Sequence, residues 1–504
     1  MEEQLLMTRK HQPTDRSLTT NRQHNWSPRN KIIFRISFIF FGLFCIPLDI
    51  GFYEMLWHID YAHLNYRHLT EIVAFFNPQF INNFSESGFF GLYSYANIPF
   101  VLLIAILGGL LWTLFDRNSK SYETLYYWLR VLARYRVAYA AIGWGYKKLF
   151  VMQMPAPNIG LLNTEMIDYF AKRLYWEILG IAPTYEVFLG FAEFIGGFLL
   201  LFRKTTGVGA AIAFVVFGNI AISNHAYDIG EQVPSACMAM LAFFILWKDL
   251  PGIYQLIVKE KDTQITHFYP VLHQRWLLYS KQMVKYTGNF IFVVLFFAFE
   301  VYGYTHNDFY KIPNTPALAD VPGYYHVDHF ELNGKEIPYS PFDTLRWQDV
   351  TFEKYSSLSF KVANRPQEIE MFAAGSYPKR GEIYDNSWHF HWQGDIRRYA
   401  KGKRKAEERD LRITWEQDGV SGRHWYHYKA DTLNKTLYLT NKNRANRHLK
   451  QKLHYQILKD GKIILNGINE FNDSIYVELN KVNKEYPLGV DGKSALAGTN
   501  LYTR

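Results

Sequence analysis

Up to residue 304 the chain is a succession of apolar runs of roughly 20 residues, the length a hydrocarbon core requires, separated by short polar segments. The runs fall at Ile32 to Tyr53, Tyr95 to Phe115, Leu125 to Lys147, Thr184 to Phe202, Val208 to Ser223, Val233 to Trp247 and Tyr286 to Tyr304. The sixth is short and needs Ile229 and its neighbours to complete a crossing. The pattern predicts an α-helical polytopic membrane bundle of about seven spans. In such a bundle, charges inside spans are the residues that need explaining.

Orientation follows from lysine and arginine, because basic residues flanking a span resist translocation whereas acidic ones matter little. The tail before the first span carries Arg9, Lys10, Arg16, Arg22, Arg29 and Lys31. Arg117, Lys120, Arg203, Lys204 and the segment Lys248 to Lys285 fall on the same side, which is therefore expected to be cytoplasmic. The opposite loops, Trp57 to Ser94 and Ala226 to Gln232, hold Asp60, Glu71, Glu86, Asp228 and Glu231 against Arg67. Lys147, Lys148, Lys172 and Arg173 depart from the rule. The expected organisation is a cytoplasmic tail (1–31), a transmembrane domain (32–304), a linker (305–311) and an extracytoplasmic domain (312–504). The leader is polar and lacks a small-residue cleavage site, so the first run is expected to stay as an anchor. The +9 net charge sits largely where topology wants it and does not point to nucleic acid. Cys45 and Cys237 both fall within runs, which leaves the exported region without a disulfide framework.

Beyond residue 312 the apolar period becomes two. Leu453, Tyr455 and Ile457 alternate before Asp460-Gly461; Ile463 and Leu465 precede Asn466-Gly467; Ile475, Val477 and Leu479 follow Asn472-Asp473. Such pairs supply the positive backbone angles of tight hairpins, and Asn333-Gly334 repeats the cue. The expectation is an antiparallel all-β sandwich or small barrel of roughly eight strands, since closure removes exposed edges. The basic stretch Arg397, Arg398, Lys401, Lys403, Arg404 and Lys405 reads as a solvated helix or loop, or as a contact for anionic headgroups or an acidic envelope polymer. His389 and His391 share one face of a strand at a spacing two metal ligands can use. No metal site is expected there.

On the fourth run Glu186, Gly190, Glu193 and Gly197 recur at four, three and four residues, which stacks two carboxylates and two glycines on one stripe. Glycine lets another helix approach closely there. Arg134, Ala138, Ala141, Gly145 and Lys148 make a similar line on the third run, so that Glu193 could reach Arg134. Helix five adds Asn219 and Asn224. Either these groups are interhelical glue, or Glu186, Gly190, Glu193, Gly197 and Asn219 form the polar end of a pocket in which Glu193, with Arg134 and Lys148, exchanges protons. Met166, Phe170, Leu174 and Ile178 give an apolar face to a helix expected to lie in the outer interface, and Tyr269 to Lys285 has the same character on the inner one.

From Tyr122 to Trp247 the chain resembles the DoxX family of prokaryotic membrane proteins. The residues that carry the likeness are Tyr-Trp-Leu-Arg-Val-Leu-Ala-Arg at 127 to 134, Gly145-x-x-Lys148, Pro155-Ala156-Pro157, and Gly180-Ile181-Ala182-Pro183-Thr184-Tyr185 leading into Gly190-x-x-Glu193-x-x-Gly197. Leu201-Phe202-Arg203-Lys204-Thr205 and Asn224-x-x-Tyr227-Asp228 follow. The resemblance implies a four-helix core (122–248) formed by spans three to six, in a bacterial cytoplasmic (inner) membrane. It also implies emphasis on Arg134, Gly145, Lys148, Glu193 and Gly197. The family takes its name from a subunit of a terminal quinol oxidase. The segment Tyr377 to Tyr428 is longer than the family pattern accommodates.

No haem-attachment pair, flavin fingerprint or iron–sulfur cysteine set is present, so electron transfer would need a diffusible cofactor such as a quinone. The first expectation is thus an accessory or quinone-interacting subunit of a membrane redox system, with a redox protein as partner. The second, from another class, is a non-enzymatic envelope protein whose bundle anchors an exported β domain that binds a lipid, a sugar or a protein.

Overall fold

The computed structural model describes residues 25–48, 52–53, 56–57, 72–73, 78, 80–81, 95–227, 229, 231–264, 268–272, 274–306, 315–363, 419–442 and 450–486. Its helices are α1 (Pro28–Cys45), α2 (Asn97–Phe115), α3 (Glu123–Leu149), a single turn α4 (Ile159–Leu162), α5 (Ala171–Gly180), α6 (Pro183–Leu200), α7 (Thr206–Ala226), α8 (Gln232–Trp247), α9 (Leu250–Ile257), α10 (Arg275–Asn289) and α11 (Phe296–His306). Local rules account for several ends. Ser27 caps α1 by accepting from the Asn30 N–H at 3.2 Å, and proline occupies the first turns of α1, α6 and α9, where no N–H is needed.

Among the described residues, three helices are long and apolar enough to cross a membrane, namely Asn97–Phe115, Thr206–Ala226 and the continuous Arg275–Tyr302. Two bent pairs raise the number to five if each is one span: α5 with α6, turned by 97°, and α8 with α9, turned by 69°. This is fewer than the seven expected from apolar runs. The difference lies in charge: α1 contains Arg29, Lys31 and Arg35, and α3 contains Arg130, Arg134, Arg136, Lys147 and Lys148. The last helix also differs from expectation. Arg275 to Lys285 is not a separate surface helix but the first part of one rod, joined to α11 through a π-helical stretch, Phe290–Leu295. A π-turn loosens the regular backbone ladder, and Tyr146 Oη donates to the Val293 carbonyl there at 2.8 Å.

The bundle has two distinct ends. At one, the Trp26 N–H donates to the Lys120 carbonyl (3.0 Å) and Lys248 pairs with Glu123 (3.1 Å). At the other, the segment after α3 meets the β domain. That domain consists of β1 (Gly323–Leu332), β2 (Lys335–Glu336), β3 (Asp349–Phe352), β4 (Ser357–Lys361), β5 (Arg423–Asp431), β6 (Thr436–Asn441), β7 (Lys450–Ile457), β8 (Ile463–Ile468) and β9 (Ser474–Val482). Every neighbouring pair is antiparallel, and β9 returns to β1 over Tyr324↔Val482 to Leu332↔Ile475 with a bulge between Val327 and His329. Apart from the two-residue β2, the strands close an eight-stranded barrel. The interior is filled by Tyr325, Phe330, Phe352, Tyr426 and Tyr428, with Trp347 stacked on Phe360 at 3.9 Å.

Asn333-Gly334 and Asp460-Gly461 are turns, with positive φ at Asn333, Gly334 and Gly461. Asn466-Gly467 is not. Gly467 lies inside β8, paired with Leu453 on β7 and Ile475 on β9. A Cβ there would sit 2.1 Å from the Lys452 carbonyl oxygen, so this glycine serves a close backbone approach. Gly467→Ala should therefore destabilise the barrel by more than the usual substitution, about 2 kcal/mol or more, read as a lowered thermal midpoint of its unfolding.

His427 on β5 is half-buried near Lys442 and Lys429, and burial first, then these charges, lower its pKa from 6.5 to about 4. The unfolded chain then takes up the proton before the folded one does, so stability present above pH 6.5 is lost as pH falls toward 4. His427→Gln should flatten the fall in melting temperature between those two values.

Candidate functional site

The glycine-bearing stripe of α6 faces α3. A Cβ at Gly190 would lie 2.8 Å from the Leu149 nitrogen and 2.9 Å from the Gly145 oxygen; one at Gly197 would lie 2.7 Å from the Ala138 oxygen. The stripe Ala138, Ala141, Gly145 and Lys148 of α3 is thus its partner, and backbones approach as small residues allow. Between them Lys148 Nζ donates to both Glu193 carboxylate oxygens, at 2.8 and 2.9 Å, with each side chain buried. Two opposite charges in this setting neutralise each other, which removes the cost either would carry alone.

Glu186 is fully buried and holds the chain as it leaves α3. Its Oε1 accepts from the N–H groups of Gln153 and Met154, both at 3.1 Å, while its Oε2 has no hydrogen-bond partner among the described residues. Arg134 does not join this group. It lies 14 residues before Lys148 on the same helix, about 21 Å along the axis. There its Nη1 donates to Thr206 Oγ1 at 3.3 Å. Asn219 is exposed on α7, so the expected pocket of Glu186, Gly190, Glu193, Gly197 and Asn219 is not assembled; α3 fills the space beside the glycines. His389 and His391 lie outside the described residues. Among the described residues, no group of three or more His, Cys, Asp or Glu side chains is placed to hold a metal.

Two features escaped sequence reasoning. One is Glu300 on α11, 2% exposed, with Oε2 free of any hydrogen bond among the described residues and the Lys147 charge close enough to act on it. Its signal was plain: a single acid within the apolar run of the last span. The other is the seat of the barrel. Glu353 accepts from the N–H groups of Ile159 (3.0 Å) and Gly160 (2.8 Å), and Asn158, which caps α4, donates to Tyr355 Oη at 2.8 Å. Ser421 N–H donates to the Asp168 carbonyl, and Phe170 N–H to that of Gly419. Arg423 pairs with Asp349 at 2.8 Å and donates to Thr164 Oγ1 at 3.2 Å. Leu161, Tyr169, Val420 and a fully buried Trp425 make a small apolar cluster in the same contact. The outward side chains Thr351, Ser357 and Ser359 are also fully buried, small enough to let the segment lie against the wall of β3 to β5.

Fold and site together define a class: a helical bundle, with helices able to span a membrane, that carries a closed β-barrel fastened to one end. The chain matches no family model and no solved structure. Over 74 residues it is 35% identical to the uncharacterized protein YwoB of Bacillus subtilis (strain 168), a match covering 15% of this chain and 48% of that protein. The chain thus spans about half the length of the curated relative it matches.

Breaking a buried ion pair from one side leaves an unpaired charge, at a cost of about 3–5 kcal/mol. Lys148→Met and Glu193→Met singly should each lower accumulation and thermal stability of the detergent-purified protein. The double variant should recover most of the loss.

Proposed function

We propose that this chain is an integral membrane protein of DoxX-like type whose bundle anchors and orients the barrel, a non-enzymatic envelope protein that meets its ligand or partner outside the cytoplasm. The observation that carries this reading is the buried seat in which Glu353 holds the Ile159 and Gly160 N–H groups. A barrel on a flexible tether needs no such lock. In this reading α1 and α3 cross the bilayer with α2, α6, α7, α8 and the Arg275–Tyr302 rod, their charges turned toward protein. Support comes from Arg35, which donates to Tyr122 Oη (2.8 Å), Thr113 Oγ1 (2.8 Å) and the Asp116 carbonyl (2.6 Å), and from Arg136, which donates to the Val73 carbonyl. The basic end around Trp26, Lys120 and Lys248 faces the cytoplasm of a bacterial inner membrane, and the barrel lies outside.

A second reading, the quinone-interacting accessory subunit with a redox protein partner, is favoured by the unengaged oxygens of Glu186 and Glu300 in the bundle interior. Glu193, neutralised by Lys148, is the weaker proton carrier of the three.

Complementation of a deletion strain separates the two. Under the anchor reading, removal of residues 311–504 abolishes rescue while the Lys148→Met/Glu193→Met double variant retains it. Rescue by the truncated chain, with a quinone in its organic extract that Glu300→Gln loses, would instead establish the redox reading.

A further inference from the structure

At the end of the bundle away from the barrel, α3, the turn before α7, the end of α8 and the chain at 268–269 surround an open cleft. Its cations are Arg130, Arg134, Arg203 and Lys248. Two are already neutralised: Arg130 Nη2 pairs with Asp249 at 2.7 Å, and Lys248 with Glu123 at 3.1 Å. The other two are not. Arg134, only 8% exposed, donates to Thr206, lies over the Tyr135 ring at 5.0 Å, and leaves its Nε without a hydrogen bond. Arg203 donates to Tyr127 Oη at 3.1 Å and lies 5.2 Å over the Tyr269 ring. Among the described residues neither guanidinium has a carboxylate partner, so the cleft holds two positive charges in excess.

Burying a guanidinium without a counter-charge is costly, and the chain places one beside a second in a cleft open to its surroundings. The planar fork of arginine matches the oxygens of a phosphate, and aromatic rings beside it suit a ligand with an apolar portion. Trp128, Leu132, Phe202 and Trp247, close in sequence to the lining residues, expose large apolar surfaces where aromatic side chains of a membrane protein meet headgroups. We propose that this cleft binds the phosphate of a negatively charged amphiphile, with Arg134 and Arg203 as its ligands and the tail directed along the exposed apolar faces of α3 and α8.

The test is native mass spectrometry of the full-length protein in detergent, titrated separately with phosphatidylglycerol, phosphatidylcholine and inorganic phosphate. Phosphatidylglycerol should bind best, because the choline group would set a cation against the two arginines. Arg134→Gln/Arg203→Gln should weaken it at least about tenfold, and Arg203→Gln alone, at an exposed position, should weaken it severalfold. Lys259→Gln, an exposed cation outside the cleft, should leave it unchanged. Unaltered phosphatidylglycerol binding in Arg203→Gln and in the double variant would overturn the proposal. So would inorganic phosphate binding as tightly as the lipid, which would identify a free anion as the ligand, or equal affinity for the two lipids.

Discussion

A helix that carries Arg130, Arg134, Arg136, Lys147 and Lys148 has to be surrounded by other protein, and the rest of the bundle is arranged around that need. Most of α3 from Ala133 to Lys148 is buried, with α6 on one side and α1, α7, α8 and the last rod on others. Three of these cations are met in different ways. Arg130 is held by Asp249 and the Ile245 carbonyl, Arg136 by the Val73 carbonyl, and Lys148 by both oxygens of Glu193. If α3 crosses the bilayer as proposed, hydrocarbon would satisfy none of these groups, and its neighbours are fixed by hydrogen bonding and charge as well as by shape. Helices α2 and α7, lacking such residues, leave their apolar surfaces largely open, as does the Arg275–Tyr302 rod.

How far the sequence disclosed this depends on what each signal measures. Spacing alone placed Glu186, Gly190, Glu193 and Gly197 on one stripe, and the contact with Ala138, Ala141 and Gly145 uses that stripe because a 3.6-residue period leaves no other face for it. Spacing says nothing about depth, however. Arg134 and Lys148 share a stripe but sit about four turns apart, and only the lysine is level with Glu193. Asn219 shows the same blindness in rotation: a polar residue in an apolar run was assigned to the interior, yet it lies exposed on α7. The charges in α1 and α3 show a further limit: an apolar run does not reveal which protein groups meet its basic residues, as Tyr122 and Thr113 meet Arg35 and Glu193 meets Lys148.

For the barrel, alternation identified β7, β8 and β9, because their inner and outer faces differ in polarity. The turn chemistry was legible where glycine bends the chain, at Gly334 and Gly461, and misread at Gly467, where the same residue type permits close backbone contact. Strands β3 and β4 carry no such asymmetry in burial. Both of their faces are covered, one by the barrel interior and the other by residues 158–169, and Thr351, Ser357 and Ser359 look in sequence like solvent-facing positions. A docked wall of small hydroxyl side chains cannot be told from an exposed one by alternation.

The connection leaving α3 unites these parts. Lys148, in the last turn of α3, is tied to Glu193; five residues later the N–H groups of Gln153 and Met154 are tied to Glu186, two stripe positions away on α6; a few residues further, Ile159 and Gly160 are tied to Glu353 on the barrel. Three buried carboxylates therefore grip a single stretch of about a dozen residues, two from the bundle and one from the β domain. Gly180 closes against the same stretch, where an added Cβ would come within 2.6 Å of the Pro155 carbonyl oxygen, so α5 is held to it as well. A displacement of the barrel relative to α6 would have to break or remake at least one of these carboxylate contacts. Their burial makes each contact costly to lose, which ties the orientation of the barrel directly to the packing of α3 on α6.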